Sequence, residues 1–306
     1  MHAVIDRRAL PALALFLVGA TLPLSCAIAS PLSGSLALGA EYDSNVSIDE
    51  TDINAHQGDA AALVAASVGI TAVDSKSVRL DLGYSYDGTF RQDIKDYDLD
   101  IHQGTASLAV KRGKVTFGMD YRFAHVRLDG DSFLNLQVVA PSVSSFLTRN
   151  LYARAGYSRM KKAYRTSVSL DAKTQVMTLD IYRFFARRKG YVALGLRHDD
   201  ENASGPEYDY HALQASARAL IPFRVAGAPM KLRLSYAYGE RDYSGITPSI
   251  NAERSEKRST FGAGLDIPIT RRLMFKPALR YVDRQSNVPI FNYREHRVSA
   301  MLQYKL

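Results

Sequence analysis

The sequence predicts an all-β fold, a transmembrane antiparallel up-and-down β-barrel of about fourteen strands, and three observations carry that expectation. Short segments alternate apolar and polar residues with a period of two, as in Val78, Leu80, Leu82, Tyr84 and Tyr86 against Arg79, Asp81, Gly83 and Ser85. Connections between these segments switch between tight turns and longer polar stretches. An export signal precedes them, and no second apolar run long enough for a membrane helix follows.

In chain order, residues 1–29 read as a cleaved signal peptide. Arg7 and Arg8 give the basic start, Ala9 to Leu24 the apolar stretch, and Ala27-Ile28-Ala29 the small-x-small cleavage site, so the mature domain is 30–306. Cys26 is the sole cysteine and falls inside the signal, which removes disulfide and thiolate chemistry from the mature chain. Strands are expected at 32–43, 60–73, 77–87, 100–111, 114–126, 133–146, 150–160, 174–186, 190–198, 209–223, 229–241, 257–269, 272–283 and 294–306. The fifth sets Val115, Phe117, Met119, Tyr121 and Phe123 against Thr116, Gly118, Asp120 and Arg122; the eleventh sets Leu232, Leu234, Tyr236 and Tyr238 against Arg233, Ser235 and Gly239. In the sixth, Pro141 interrupts the alternation, and a bulge or strand end is expected there. The last strand alternates Val298, Ala300, Leu302, Tyr304 and Leu306 with polar residues up to the chain end, the pattern read by the barrel-insertion machinery.

Tight connections at 74–76, 112–113, 148–149, 187–189, 226–229 and 270–271 carry turn residues and are expected at the periplasmic rim; the longer ones belong outside. Among those, Arg241–Ser259 mixes charges with Gly245 and Pro248 and reads as a mobile extracellular loop. With Trp absent and 18 Tyr, the interfacial aromatic girdles must be built from Tyr and Phe. A formal net charge of +8 would suit phosphate binding, but an exported chain with interleaved acids and no basic helix argues against nucleic acid.

With the apolar faces against lipid, the inward faces carry Arg122, Arg154, Arg197, Arg218, Arg233, Lys276, Arg280 and Lys305 with Asp81, Asp120, Asp180 and Asp266. Excess positive charge around a wet pore favours anions or an acidic substrate, whereas Arg–Asp pairing would stiffen or plug the interior instead. Ala37, Gly39, Gly83, Gly118, Gly195, Gly262 and Gly264 leave space inside or ease strand bending.

An enzyme is not expected. No His has Ser two residues later, as a lipid-A deacylase-like barrel requires, and His296 and Ser299 point to opposite faces. Asp43, Asn45, Ser47 and Asp49 have the oxygen spacing of a calcium loop but lack its Gly and terminal Glu, so no metal and no cofactor is expected.

Two segments carry a resemblance. Leu38-Gly39-Ala40-Glu41-Tyr42-Asp43-Ser44-Asn45-Val46 resembles the first barrel strand of the surface lipoprotein assembly modifier family. Residues Ser286 to Val298, SNVPIFNYREHRV, are similar to that family's last loop and final strand. The resemblance implies a 14-stranded barrel that helps a protein client, and no catalytic residue. That family has a periplasmic helical-repeat domain before its barrel, and here strand one follows the signal almost directly. The leading expectation is therefore a barrel assisting translocation or surface display of a lipoprotein client. The alternative is a porin-like channel for anionic solutes or exopolysaccharide, and the third a closed structural or adhesive barrel. Expected partners are outer-membrane lipid, the barrel-insertion machinery, and a lipoprotein client or periplasmic repeat protein.

Overall fold

The computed structural model describes residues 32–48 and 53–306. The expected signal peptide, with Cys26, lies outside the described residues, as does Asp49. The chain runs β1 (Ser33–Asp43), the two-residue strands β2 (Ser47–Ile48) and β3 (Ile53–Asn54), β4 (Asp59–Asp74), β5 (Val78–Arg91), β6 (Leu99–Arg112), β7 (Val115–Leu128) and β8 (Asp131–Phe146). It continues through β9 (Leu151–Tyr164), β10 (Ala172–Phe185), β11 (Gly190–Ala203), β12 (Tyr210–Val225), β13 (Ala228–Thr247), β14 (Ala252–Pro268), β15 (Leu273–Ser286) and β16 (Tyr293–Lys305). β1 and β4 to β16 form one closed antiparallel barrel of fourteen staves, each paired with its neighbour in the chain. β1 meets β16 from Ser35 opposite Lys305 to Asp43 opposite Arg297, so no strand edge is left open.

The period-two pattern sets which face is which. Leu36, Leu38, Met177, Leu194, Leu196, Tyr236 and Val298 all stand exposed on the outer wall, Met177 and Leu194 at 61% and 62% of full exposure. In water such a surface would drive aggregation; against hydrocarbon it is the lipid-facing wall of a barrel. Residues between them in sequence point into the bore, among them Glu41, Arg154, Asp180, Arg233 and Arg297.

At the rim holding Ser33 and Lys305, turns are tight: Gly113 and Gly227 take the left-handed backbone (φ 59° and 82°) that two-residue hairpin links need. The other rim differs from expectation. The staves run on past the roughly 9–11 residues that cross the membrane, to 20 residues in β13 and 17 in β14. Arg241–Ser259 is accordingly a hairpin extension with its turn at Pro248–Asn251, not a mobile loop. Beyond the bilayer both faces of a strand are wet, so the alternation that marks a strand in sequence fades there while the backbone ladder continues. Pro141 also differs: β8 passes through it unbroken in its pairing with β7. Only its ladder to β9 lapses, in unchanged register between Val139 and Ser142, because the missing N–H falls on that side. The bulge in this hairpin lies instead at Phe133, which it turns inward onto Tyr164 and Leu134.

Four outer connections share one device. A single 3₁₀ turn ends in Asp98, Asp171, Asp209 or Asn292, whose side-chain oxygen accepts the N–H of Arg91, Tyr164, Ala203 or Ser286 respectively. The carbonyls of Asp98, Asp171 and Asp209 then accept the N–H groups of Asp129, Ser204 and Ser244 in adjacent hairpins. Three of the four loops are thereby tied to the next hairpin around the rim.

Candidate functional site: the bore and its outer mouth

The outer mouth is built first by the seam between β1 and β16. Asp43 is fully buried and Glu295 nearly so at 1% exposed. Both are held by Arg297, which donates from Nη2 to Asp43 Oδ2 at 2.8 Å and stands 3.1 Å from Glu295 Oε1. Arg91 Nη2 lies 3.6 Å from both Glu41 and Asp43. Three carboxylates thus share two guanidinium groups in a largely buried cluster at the edge of the mouth, and the geometry must be good for such a cluster to persist. Asp43 also accepts the N–H of Asn45, bending the chain so that Val46, 1% exposed, enters the mouth. Ser47 Oγ then donates to Glu295 Oε2 at 2.9 Å. The two segments that carry the family resemblance therefore meet in space.

From that bend Val46, Ser47 and Ile48 lie inside the rim. Ile48 packs on the cluster of Phe133, Leu134 and Tyr164. Val46 and Ile48, with Tyr97, Ile101, Val126 and Leu136, line a largely apolar cavity of about 380 Å³. Tyr97 lies beyond the strands, and burial together with nearby Asp96 raises its phenol above the usual value. On the opposite wall, cations and rings alternate. Arg241 sits 4.2 Å over Tyr210, Arg254 3.7 Å over Tyr243 and 4.4 Å over Phe291, and Arg284 5.8 Å over Phe291. Glu256 bridges Arg254 and Arg284.

Deeper in the bore the charged residues foreseen from the inward faces are brought together in pairs across strands. Arg154 meets Asp120 at 3.0 Å, Arg233 meets Asp266 at 3.2 Å, and Arg218 is bonded to Asp180. Arg197 pairs along its own strand with Asp199 at 2.7 Å, and Asp81 with Arg79 at 2.7 Å. Arg280 lies opposite Arg297 in register, below the seam cluster. Arg122 differs: its side chain has no hydrogen-bond or ion-pair partner among the described residues. It borders a cavity of about 420 Å³ with Lys162, Arg197, Arg241 and Arg258, against the acidic side chains of Asp199 and Glu201. Five basic and two acidic groups line this space, which reaches from β7 to β14. Basic groups outnumber acidic ones around this space, so its field is positive.

Sequence reasoning missed Lys162, Asp199, Glu201, Arg254, Glu256 and Arg284, because they stand on strand ends read as loops, and Arg241 and Arg258, which fall where an expected strand overlaps the expected 241–259 loop. Arg197, Asp199 and Glu201 recur two apart, and following that alternation past residue 198 would have found them. The calcium-like oxygens are otherwise engaged, Asp43 with Arg297 and Ser47 with Glu295. Among the described residues no group of three His, Asp or Glu side chains is placed to hold a metal. His125 bonds Asn135, His102 bonds Tyr84, and His211 lies 3.5 Å from Asp200, all on the outer wall rather than in the bore.

Residues 229–306 match the model of a family described as "Putative beta-barrel porin 2". No curated protein matches the chain. Among solved structures it is similar to outer-membrane expressed OmpT of Vibrio cholerae, at 7% identity and a TM-score of 0.55, over 90% of this chain and 97% of that one. It is also similar to an anion-selective porin from Comamonas acidovorans, at 11% identity and a TM-score of 0.52, over 91% and 99%. At these identities the likeness shows the fold. The closed barrel, its apolar wall and these matches together make the protein an outer-membrane β-barrel of porin-like architecture.

Proposed function

We propose that the protein is a diffusion channel for small anionic solutes, with Arg122 and the basic cavity around it as the selecting region. The observation that carries this reading is Arg122 itself, an uncompensated cation inside a bore whose other foreseen arginines largely have acidic partners. Fixed pairs cancel at a distance and shape the bore, whereas an unpaired charge sets the sign of the field a solute meets. Val46 and Ile48, with the inward Tyr97, Leu170 and Tyr208, narrow the mouth, which suits solutes of a few carbons rather than a polymer. The similar porin of Comamonas acidovorans is called anion-selective, in keeping with this reading.

Assistance to a lipoprotein client has less support. It rests on the Leu38–Val46 and Ser286–Val298 segments, and their side chains are spent on closing the seam and seating the first loop. The test is uptake into liposomes of matched small solutes: a dicarboxylate, a zwitterion, a neutral sugar and a diamine. Uptake in the order anion, neutral, cation supports the channel, with the anion advantage shrinking in Arg122→Gln. Equal uptake of all four, or none, would rule it out.

A further inference from the structure

We propose that the outer wall carries a binding site for the phosphates of lipopolysaccharide, the phosphorylated glycolipid of the outer leaflet, built by Arg159, Lys161 and Lys173. Lys161 and Lys173 are directly opposed in the β9–β10 register, and Arg159 follows on the same face opposite Gln175. That face is the lipid-facing one. Tyr157 and Met177 continue it into the apolar band, at 37% and 61% exposure, and Val139 lies beside Arg159 across the β8–β9 ladder. The three cations are exposed, and none of their side chains has a hydrogen-bond or ion-pair partner among the described residues.

Like charges facing each other across two strands repel, so this arrangement works against the sheet unless an anion lies between them. The flanking side chains are exposed amides: Gln137 opposite Lys161 on β8, Gln175 on β10 and Asn202 opposite Lys173 on β11. Tyr157 donates to Gln175 Oε1 at 3.0 Å, which leaves that amide's NH₂ group as a donor toward the membrane surface. The neighbouring outward carboxylate, Asp200, faces Gln175 one strand beyond Arg159 and lies 3.5 Å from His211 Nδ1. The result is three cations and three amides immediately beyond the apolar wall, at the long-loop rim. A barrel whose short turns face the periplasm holds that level at the outer-leaflet headgroups. A phosphate there reaches all three cations while the acyl chains lie along Val139, Tyr157 and Met177.

This inference does not depend on what passes through the bore. The test compares the wild type with the Arg159→Gln, Lys161→Gln, Lys173→Gln triple variant, refolded in detergent and verified as folded by its heat-modifiable gel migration. Each is titrated with fluorescently labelled lipopolysaccharide, with the same lipid after enzymatic removal of its lipid A phosphates, and with inorganic phosphate as competitor. The expected result is a loss of about fivefold per neutralised cation. The dephosphorylated lipid should bind the wild type no better than the intact lipid binds the variant, and bilayer conductance should stay unchanged. Equal affinity of the two proteins, or of the two lipids for the wild type, would overturn the proposal. Displacement by millimolar inorganic phosphate would overturn the lipid as the occupant.

Discussion

Removing Arg297 from the seam tests the energetics of the outer mouth. Its guanidinium lies 2.8 Å from Asp43, 3.1 Å from Glu295 and 3.6 Å from Glu41. The Arg297→Ala variant leaves Glu41 and Asp43 to share Arg91 at 3.6 Å and takes from Glu295 the guanidinium 3.1 Å away, with Asp43 and Glu295 essentially closed to water. Taking one partner from a buried ionic cluster costs about 3–5 kcal/mol. That corresponds to a hundredfold to a few thousandfold in the folded-to-unfolded ratio, at about 1.4 kcal/mol per tenfold. Urea unfolding in lipid vesicles, followed by gel migration and by tyrosine emission unmasked in a chain with no Trp, measures the loss. Arg297→Lys should fall between, since a point charge cannot fork to two carboxylates. Adding Glu295→Gln to Arg297→Gln should recover part of the stability by removing one stranded charge. A loss below about 1 kcal/mol in Arg297→Ala, the range of a solvent-exposed pair, would refute the reasoning and show the cluster to be hydrated.

Other outcomes follow from the same geometry. Val46→Ala with Ile48→Ala removes the buried Val46 side chain and the Ile48 contact on Phe133, Leu134 and Tyr164, worth about 2 kcal/mol or more; single-channel conductance should rise while insertion is unaffected. Asp171→Ala takes away the acceptor lying 2.6 Å from the Tyr164 N–H, about 1–2 kcal/mol, and amide exchange at Tyr164 should speed up accordingly. Gly245→Ala drives a methyl group into the Pro206 carbonyl and the backbone of Glu207. It should part the β13 extension from the neighbouring turn, read as faster proteolytic nicking at 204–209.

The barrel was legible because lipid enforces strict alternation. Every stave has an outward apolar row such as Leu194 and Leu196, and the tight turns carry Gly113 and Gly227 where a positive φ is needed. Legibility ended at the membrane surface. Above it, Arg241 and Arg254 continue β13 and β14 with no apolar partner row, so strand and loop look alike in composition. The inward position of Arg122, Arg154, Arg218 and Arg233 followed from parity alone. Which of them keep an acidic partner did not, because Asp120, Asp180 and Asp266 reach them across strands, through a register that sequence does not print. The recurring apolar-Asp/Asn ends, Tyr97-Asp98, Leu170-Asp171, Tyr208-Asp209 and Phe291-Asn292, were visible but unread; each marks an ordered rim turn. Phe133 had no signal, since a bulge breaks the very alternation used to assign it.

The most direct test of the central claim is the reversal potential of the purified barrel in a planar bilayer under a KCl gradient. A positive bore with Arg122 uncompensated should give a potential of the sign set by chloride, which Arg122→Gln weakens and Arg122→Glu brings to zero or reverses. A cation-selective wild type, or a selectivity indifferent to Arg122, would contradict it.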